Sequence, residues 1–286
     1  MFIAVEADTE YVVKDIEGYK LAVYFYNAEK GFVKNKKWFS DGNSFVTESD
    51  TAYVRIALRK DGIVLSEIPD AIIAGDDKSV YSALNAKGIF KEGAKVSILG
   101  DSLSTFNGYI PASNVVYYPT GDVNAVYKTW WHQVIDAIGG VLDTNESCAG
   151  SSISTIRTDR PTFVSRCTNL GNPDVIFVHG GTNDVSYSAP LGAFDASVDI
   201  EVLDVDTFCG AGDKMVRLLK TTYPNATIIG VVPKTTKTAY SDALRSIYGY
   251  YDIKYIDLTE LPVSLASNHY TAYGMMQVSG CVMRGI

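Results

Sequence analysis

The chain has 286 residues, 47% of them hydrophobic and 20% charged, and carries a net charge of −8 at neutral pH. That is enough for one large domain or two modest ones with a sizeable core. The acidic balance argues against a nucleic-acid partner held through phosphates, and no apolar run is long enough to span a bilayer.

Met1-Phe2-Ile3-Ala4-Val5 runs into Glu6 and Asp8, so the ordered basic, apolar and small-residue segments of a secretory signal are missing. A trimmed secreted, cell-surface or phage-particle protein would start the same way, and the compartment stays open. Residues 1 to about 70 read as β. Tyr19–Tyr26 is rich in aromatic and β-branched residues, and Phe45-Val46 follows. Ala52–Leu58 alternates, with Tyr53, Arg55 and Ala57 opposite Val54, Ile56 and Leu58. Asp41-Gly42-Asn43 and Lys60-Asp61-Gly62 supply turns. Short strands without a helical period predict a small antiparallel sandwich or jelly roll. Lys34, Lys36 and Lys37 read as a solvated loop. Tyr26, Trp38 and Phe39 fill a thin core or stack on sugar rings, the core reading being favoured. Tyr53 to Lys60 after a turn loosely resembles the β modules found beside carbohydrate-active domains and in phage-tail proteins, which implies a glycan contact. Residues 70–93 read as a connector, with one or two helical turns expected at 79–84. The expected division is a module at 1–88, with connector, and a second domain at 89–286.

From Ala94 onward strands alternate with helices. Lys95–Leu99, Val141-Leu142, Asp174–His179, Thr227–Val232 and Tyr255-Ile256 read as strands. Helical stripes run through 131–138, stopped by Gly139-Gly140, and through Met215, Leu218 and Leu219, stopped by Tyr223-Pro224-Asn225. Further helices are expected at 243–248 and from Ala272 towards Cys281. This alternation predicts a parallel sheet with helices on both faces, a three-layer α/β fold.

Chemistry-bearing residues follow these strands. Gly100-Asp101-Ser102-Leu103-Ser104 ends the first one and presents a serine where α/β sheets bind ligands. Asn145-Glu146-Ser147-Cys148-Ala149-Gly150-Ser151 follows the second, and Gly180-Gly181-Thr182-Asn183-Asp184 the third. His269 precedes the last helix. Together, in this order, the blocks resemble the SGNH (GDSL-type) hydrolase family over residues 94–286. Thr105 to Pro111 and Thr129-Trp130-Trp131 also resemble a subgroup of these enzymes. The resemblance implies the flavodoxin-like form of that three-layer fold, with Ser102 as nucleophile and His269 as base. It implies Ser102, Gly150 and Asn183 as oxyanion donors, with Asp101, Gly181 and Asp184 in support. The chemistry suits those roles, because a serine needs an adjacent base and the tetrahedral intermediate needs donors for its oxyanion.

The family's acid, three residues before its histidine, is replaced here by Ala266, and no carboxylate lies nearer in sequence than Asp257 and Glu260. A Ser–His dyad, or a ring held by a backbone carbonyl, is the expected consequence. Asp101 and Asp184 read as acceptors fastening loops. His179 reads as structural, with a place in the pocket lining as the further option, and His132 as packing or surface. Cys148, Cys167, Cys209 and Cys281 have no C-x-x-C spacing, so no zinc site, metal or organic cofactor is implied. The functional expectation is a serine esterase removing small acyl groups, O-acetyl above all, from carbohydrate. In it the loop at 185–206 (Tyr187, Pro190, Phe194, Asp195) shapes an open polar site. The alternative is a non-catalytic glycan-binding or phage-tail-type adhesion protein on a degenerate SGNH scaffold, favoured by Ala266.

Overall fold

The computed structural model describes residues 3–4, 7–8, 10–12, 19–29, 31–39, 44–60, 63–64, 91 and 93–286. It divides into two compact units, Met1–Ala83 and Leu84–Ile286. The helical turns expected at 79–84 and the boundary expected near residue 88 lie outside the described residues.

In the first unit the strands are β1 (Ile3–Ala4), β2 (Glu10–Val12), β3 (Tyr19–Tyr26), β4 (Phe32–Phe39), β5 (Ser44–Val46), β6 (Tyr53–Lys60) and β7 (Ile63–Val64). They form an antiparallel sheet in the order β1-β6-β3-β4, with β7 on β6 and β2 paired to β5. The alternating run at 53–60 lies along β3 through eight residue pairs, Tyr19↔Lys60 to Tyr26↔Tyr53. Lys34, Lys36 and Lys37 belong to β4, not to a loop. Pairing with β3 holds that segment extended, and Lys34 is ion-paired to Glu48. Trp38 and Phe39 also lie in β4. Tyr26 is half-buried and meets the Phe32 ring edge-on at 5.9 Å, in keeping with packing.

The second unit carries β8 (Lys95–Gly100), α1 (Trp130–Ala137), β9 (Val141–Asn145), α2 (Phe163–Arg166), β10 (Val175–His179), α3 (Thr182–Ser186), α4 (Phe208–Thr222), β11 (Thr227–Val232), α5 (Thr238–Tyr250), β12 (Lys254–Asp257), a hairpin of β13 (Leu265–Ala266) and β14 (His269–Tyr270), and α6 (Ala272–Gly285). The main sheet has the order β12-β11-β10-β8-β9, parallel throughout. Relative to chain order this is 2-1-3-4-5, so the direction of winding reverses between β8 and β10, the crevice where such sheets bind ligands.

The period of two along each strand splits the core into two layers. Val96, Ile98, Val175, Phe177, Ile229 and Val231 meet Trp130, Trp131 and Val134 of α1 and Met275, Val278 and Val282 of α6. Leu99, Ile176, Val178 and Val232 meet Phe163 of α2, Phe208 and Met215 of α4, and Leu244 and Ile247 of α5. β10 is buried at every position, as its continuous apolar run requires. Each fully buried side chain of this size contributes about 1.5–3 kcal/mol of burial free energy. The helices outrun their apolar stripes: α5 spans 238–250, and α6 continues to Gly285. Their polar outer residues extend the helix without adding to the stripe. The starts of α4 and α6 are set by Thr207 and Thr271, whose hydroxyls accept the N–H groups of Gly210 and Gly274.

Candidate active site

β8 ends at Gly100, and the chain turns at once into a short 3₁₀ segment, Ser102–Ser104. Asp101 caps it, accepting the Leu103 N–H at 3.0 Å and the Thr182 hydroxyl at 2.9 Å. Complete burial pushes the Asp101 carboxyl up to about 6, against the lowering effect of those donors. The carboxylate thereby ties the end of β8 to the start of α3, just after β10. Ser102 keeps 8% of its surface exposed.

His269 reaches Ser102 from the β13–β14 hairpin, with Nε2 2.9 Å from the Ser102 Oγ. Its Nδ1 lies 3.0 Å from the Ser267 carbonyl oxygen. A carbonyl only accepts, so Nδ1 carries the proton and Nε2 presents its lone pair to the serine hydroxyl. Ser267 and Asn268 turn the hairpin at φ 49° and 66°, which aims that carbonyl back at the ring. The Tyr117 ring stacks on the imidazole with centroids 3.5 Å apart and planes 9° from parallel. Partial burial holds the His269 pKa below its ordinary 6.5, opposed by the Ser267 bond.

Gly150 stands opposite, at φ +77°. A Cβ there would come within 3.1 Å of Arg157 Nη1, which donates to the Gly150 carbonyl at 3.2 Å. Among the described residues, the backbone N–H groups of Ser102 and Gly150 have no acceptor within the protein. Asn183, in α3, uses one amide hydrogen on the Ser151 carbonyl at 2.9 Å, leaving the other. Gly181 caps α3 at φ +114°, where a side chain would press on Phe208. Asp184 accepts from the Ile153 N–H at 2.8 Å, the Ser154 N–H at 2.9 Å and the Ser154 hydroxyl at 2.6 Å, fastening the segment after Gly150. Arg166, almost wholly buried, donates to the Gly100 carbonyl at 3.2 Å and to Ser151 Oγ at 2.7 Å, joining the same two segments from below.

Ser102, Gly150, Asn183 and His269 thus converge on one cavity of about 910 Å³, while Asp101, Gly181 and Asp184 hold the loops around it. The arrangement can activate a serine and receive a developing oxyanion. Two expectations need correction. His179 does not line the cavity: its place in the β10 alternation turns it into the α1/α6 layer. There Nε2 faces the Tyr270 hydroxyl at 3.2 Å, and burial drives its pKa down to about 3. Of the 185–206 segment, Val185, Ser186 and Tyr187 reach the cavity, whereas Phe194 packs on Tyr250 and Tyr251, the Pro190 carbonyl accepts the Phe208 N–H at the start of α4, and Asp195 accepts from the Ser197 N–H and hydroxyl. Asp257 pairs with Arg245 rather than with His269. Tyr117, Arg157 and Arg160 were not singled out from the sequence. The cluster Arg157-Thr158-Asp159-Arg160 soon after Gly150 was the available signal for the arginines, and none marks Tyr117.

All four cysteines are free. Among the described residues, no three or more His, Cys, Asp or Glu side chains converge as a metal cluster, and no helix is long and apolar enough to cross a membrane.

A sequence model of the GDSL-like lipase/acylhydrolase family matches residues 94–286. A crystal structure described as a GDSL-like lipase from Bacteroides ovatus is 31% identical with a TM-score of 0.63, covering 68% of this chain and 98% of that one. Another with the same description, from Bacteroides uniformis, is 32% identical with a TM-score of 0.64, covering 68% of this chain and 95% of that one. A Lactobacillus plantarum protein at 17% identity and a TM-score of 0.52, covering 68% of this chain and 96% of that one, shares the fold. No curated protein matches.

Proposed function

The chain belongs to the GDSL-like lipase/acylhydrolase family, and on that premise we propose that it is a serine esterase releasing small acyl groups, acetyl above all, from carbohydrate. Ester hydrolysis by a serine hydrolase follows from the family; the acting residues and the substrate are our reading. Residues 89–286 are taken as the catalytic domain and 1–88 as an accessory module.

The observation that carries the reading is the 2.9 Å contact between Ser102 Oγ and a His269 whose tautomer is set by the Ser267 carbonyl. Ser102 Oγ attacks the acyl carbon as its proton passes to Nε2. The carbonyl oxygen becomes an oxyanion accepting from the N–H groups of Ser102 and Gly150 and from the Asn183 amide. The imidazolium gives its proton to the departing alcohol, leaving Ser102 acylated. Water, deprotonated by the same nitrogen, attacks the acyl-serine; the tetrahedral intermediate collapses to the acid, and Ser102 recovers its proton. The Ser267 carbonyl faces the positive charge that forms on the ring, a lesser substitute for the missing acid. Tyr117 holds the ring plane from one side. Thr235, Thr236, Ser186 and Asn268 around the cavity suit a hydroxyl-rich alcohol. The alternative, a binding protein on a degenerate scaffold, drew on Ala266, and the carbonyl contact supplies the restraint whose absence motivated it.

The test is hydrolysis of 4-nitrophenyl acetate, acetylated xylan and 4-nitrophenyl palmitate by wild type and Ser102→Ala, with fluorophosphonate labelling of Ser102. Turnover of both acetyl esters, lost in the variant, supports the reading. Turnover of the palmitate ester alone, or undiminished turnover by Ser102→Ala, overturns it.

A further inference from the structure

The protein carries a net charge of −8, yet its active-site cavity reverses that sign. Among the described residues, the charged side chains lining it are Arg157, Arg160 and Lys234, with no carboxylate. Asp159 is the acid that pairs with both arginines: Arg157 Nε donates to it at 2.9 Å, and Arg160 Nη1 lies 3.1 Å from it. Two guanidinium groups therefore share one carboxylate, and the exposed Lys234 adds a further charge to the lining of the same cavity.

Arg160 is also incompletely bonded. Its Nη1 donates to the Asp159 carbonyl at 2.8 Å, but its Nε is buried without an acceptor. That nitrogen lies 3.7 Å from where a Cβ on Gly150 would stand, beside the candidate oxyanion donor. A buried guanidinium N–H without a partner is costly unless a ligand completes it. Arg157 is held in place by Asp159, by the Gly150 carbonyl and by the Tyr187 ring 4.0 Å from its Cζ, so the wall is ordered before substrate arrives.

We propose that Arg160, with Arg157 and Lys234, forms an anion subsite, and that the preferred substrate is an ester bearing a carboxylate close to the scissile bond. This rests on the esterase reading and narrows its substrate class. The carboxylate can belong to the acyl half or to the alcohol half, as in an acetylated uronate. The Arg160 side chain, 31% exposed, offers the accessible edge of its guanidinium to a carboxylate oxygen, and the net positive wall attracts the anion into the cavity.

Two matched pairs test it. 4-Nitrophenyl hemisuccinate against 4-nitrophenyl butyrate places the charge on the acyl half; O-acetylated galacturonate against O-acetylated galactose places it on the alcohol half. In low salt the charged member of one pair is expected to show a kcat/KM roughly ten- to a hundredfold above its neutral partner, as charge-assisted hydrogen bonds give. The favoured pair names the half. Arg160→Gln should bring that ratio towards one, the exposed Lys234→Gln should lower it less, and 0.5 M salt should compress it. Ratios near one in both pairs, or a ratio untouched by Lys234→Gln, by salt and by a folded Arg160→Gln, overturn the proposal. Calorimetric binding of galacturonate and succinate separates the two levels. If wild type hydrolyses no ester yet binds either anion, and Arg160→Gln abolishes that binding, the esterase reading falls and the subsite stands. No hydrolysis and no binding overturns both.

Discussion

Replacing Ser267 by proline isolates what the carbonyl on His269 Nδ1 contributes. Ser267 and Asn268 sit at φ 49° and 66°, the left-handed pair of a type I′ hairpin turn. Proline holds φ near −65°, so the turn must rebuild and the 267 carbonyl must leave the 3.0 Å contact. In the resting enzyme that bond joins two neutral groups and is worth about 1 kcal/mol net. When the ring takes the Ser102 proton the bond becomes charge-assisted, worth about 1.5–3 kcal/mol. The extra 0.5–2 kcal/mol or so exists in the transition state and not before it, which converts to a roughly two- to thirtyfold fall in kcat with KM little changed. Loss of the ring's orientation towards Ser102 deepens the fall. The turn residues are exposed and touch neither core layer, so the thermal midpoint should hold. The assay is initial-rate hydrolysis of 4-nitrophenyl acetate, with melting followed in parallel. Ser267→Gly, which accepts positive φ, should keep activity. Unchanged kcat in a folded Ser267→Pro enzyme would refute the reasoning.

Three further outcomes follow from the same geometry. Asn183→Ala should lower kcat by about 100-fold or more while Ser102 still reacts with a fluorophosphonate, since one oxyanion donor is lost and the nucleophile is not; a fall under threefold counts against Asn183 as a donor. His269 must be neutral to accept a proton and partial burial holds its pKa below the ordinary 6.5, so kcat/KM should rise with pH through a midpoint below 6.5; a midpoint at or above 7 contradicts this. Asp101 holds its proton in the fold up to about 6, whereas the unfolded chain releases it near 3.8. Its contribution to stability is complete below 3.8 and is lost as pH climbs through 6, a fall of about 3 kcal/mol. Denaturant unfolding at pH 4 and pH 7 should show that fall in wild type and a smaller one in Asp101→Asn; equal pH slopes would exclude the buried carboxyl as its source.

The order of blocks from Gly100 to His269, the apolar β10 run and the helical stripes were legible in the sequence, because burial on a sheet face or helix stripe writes a period into the chain. So was the departure at Ala266, together with the option of a backbone carbonyl in the acid's place. Other features carry no period. Tyr117 lies 152 residues from the His269 it stacks upon, and nothing local marks it. The helix ends and the strand membership of Lys34, Lys36 and Lys37 depended on caps and pairing rather than on apolar spacing.

What the sequence determined alone was the alternation that builds a parallel sheet and the residue types at the ends of its strands. Each of those follows from local chemistry: side-chain period, turn residues and a serine, asparagine and histidine in set order. What the tertiary structure decided was everything measured across the crevice. The reach of His269 to Ser102, the stacking of Tyr117 on that ring, and the positive cavity wall in an acidic protein all join segments far apart in the chain. Their energies depend on distance and burial, which only the folded packing of β8, β10 and the loops beyond them sets.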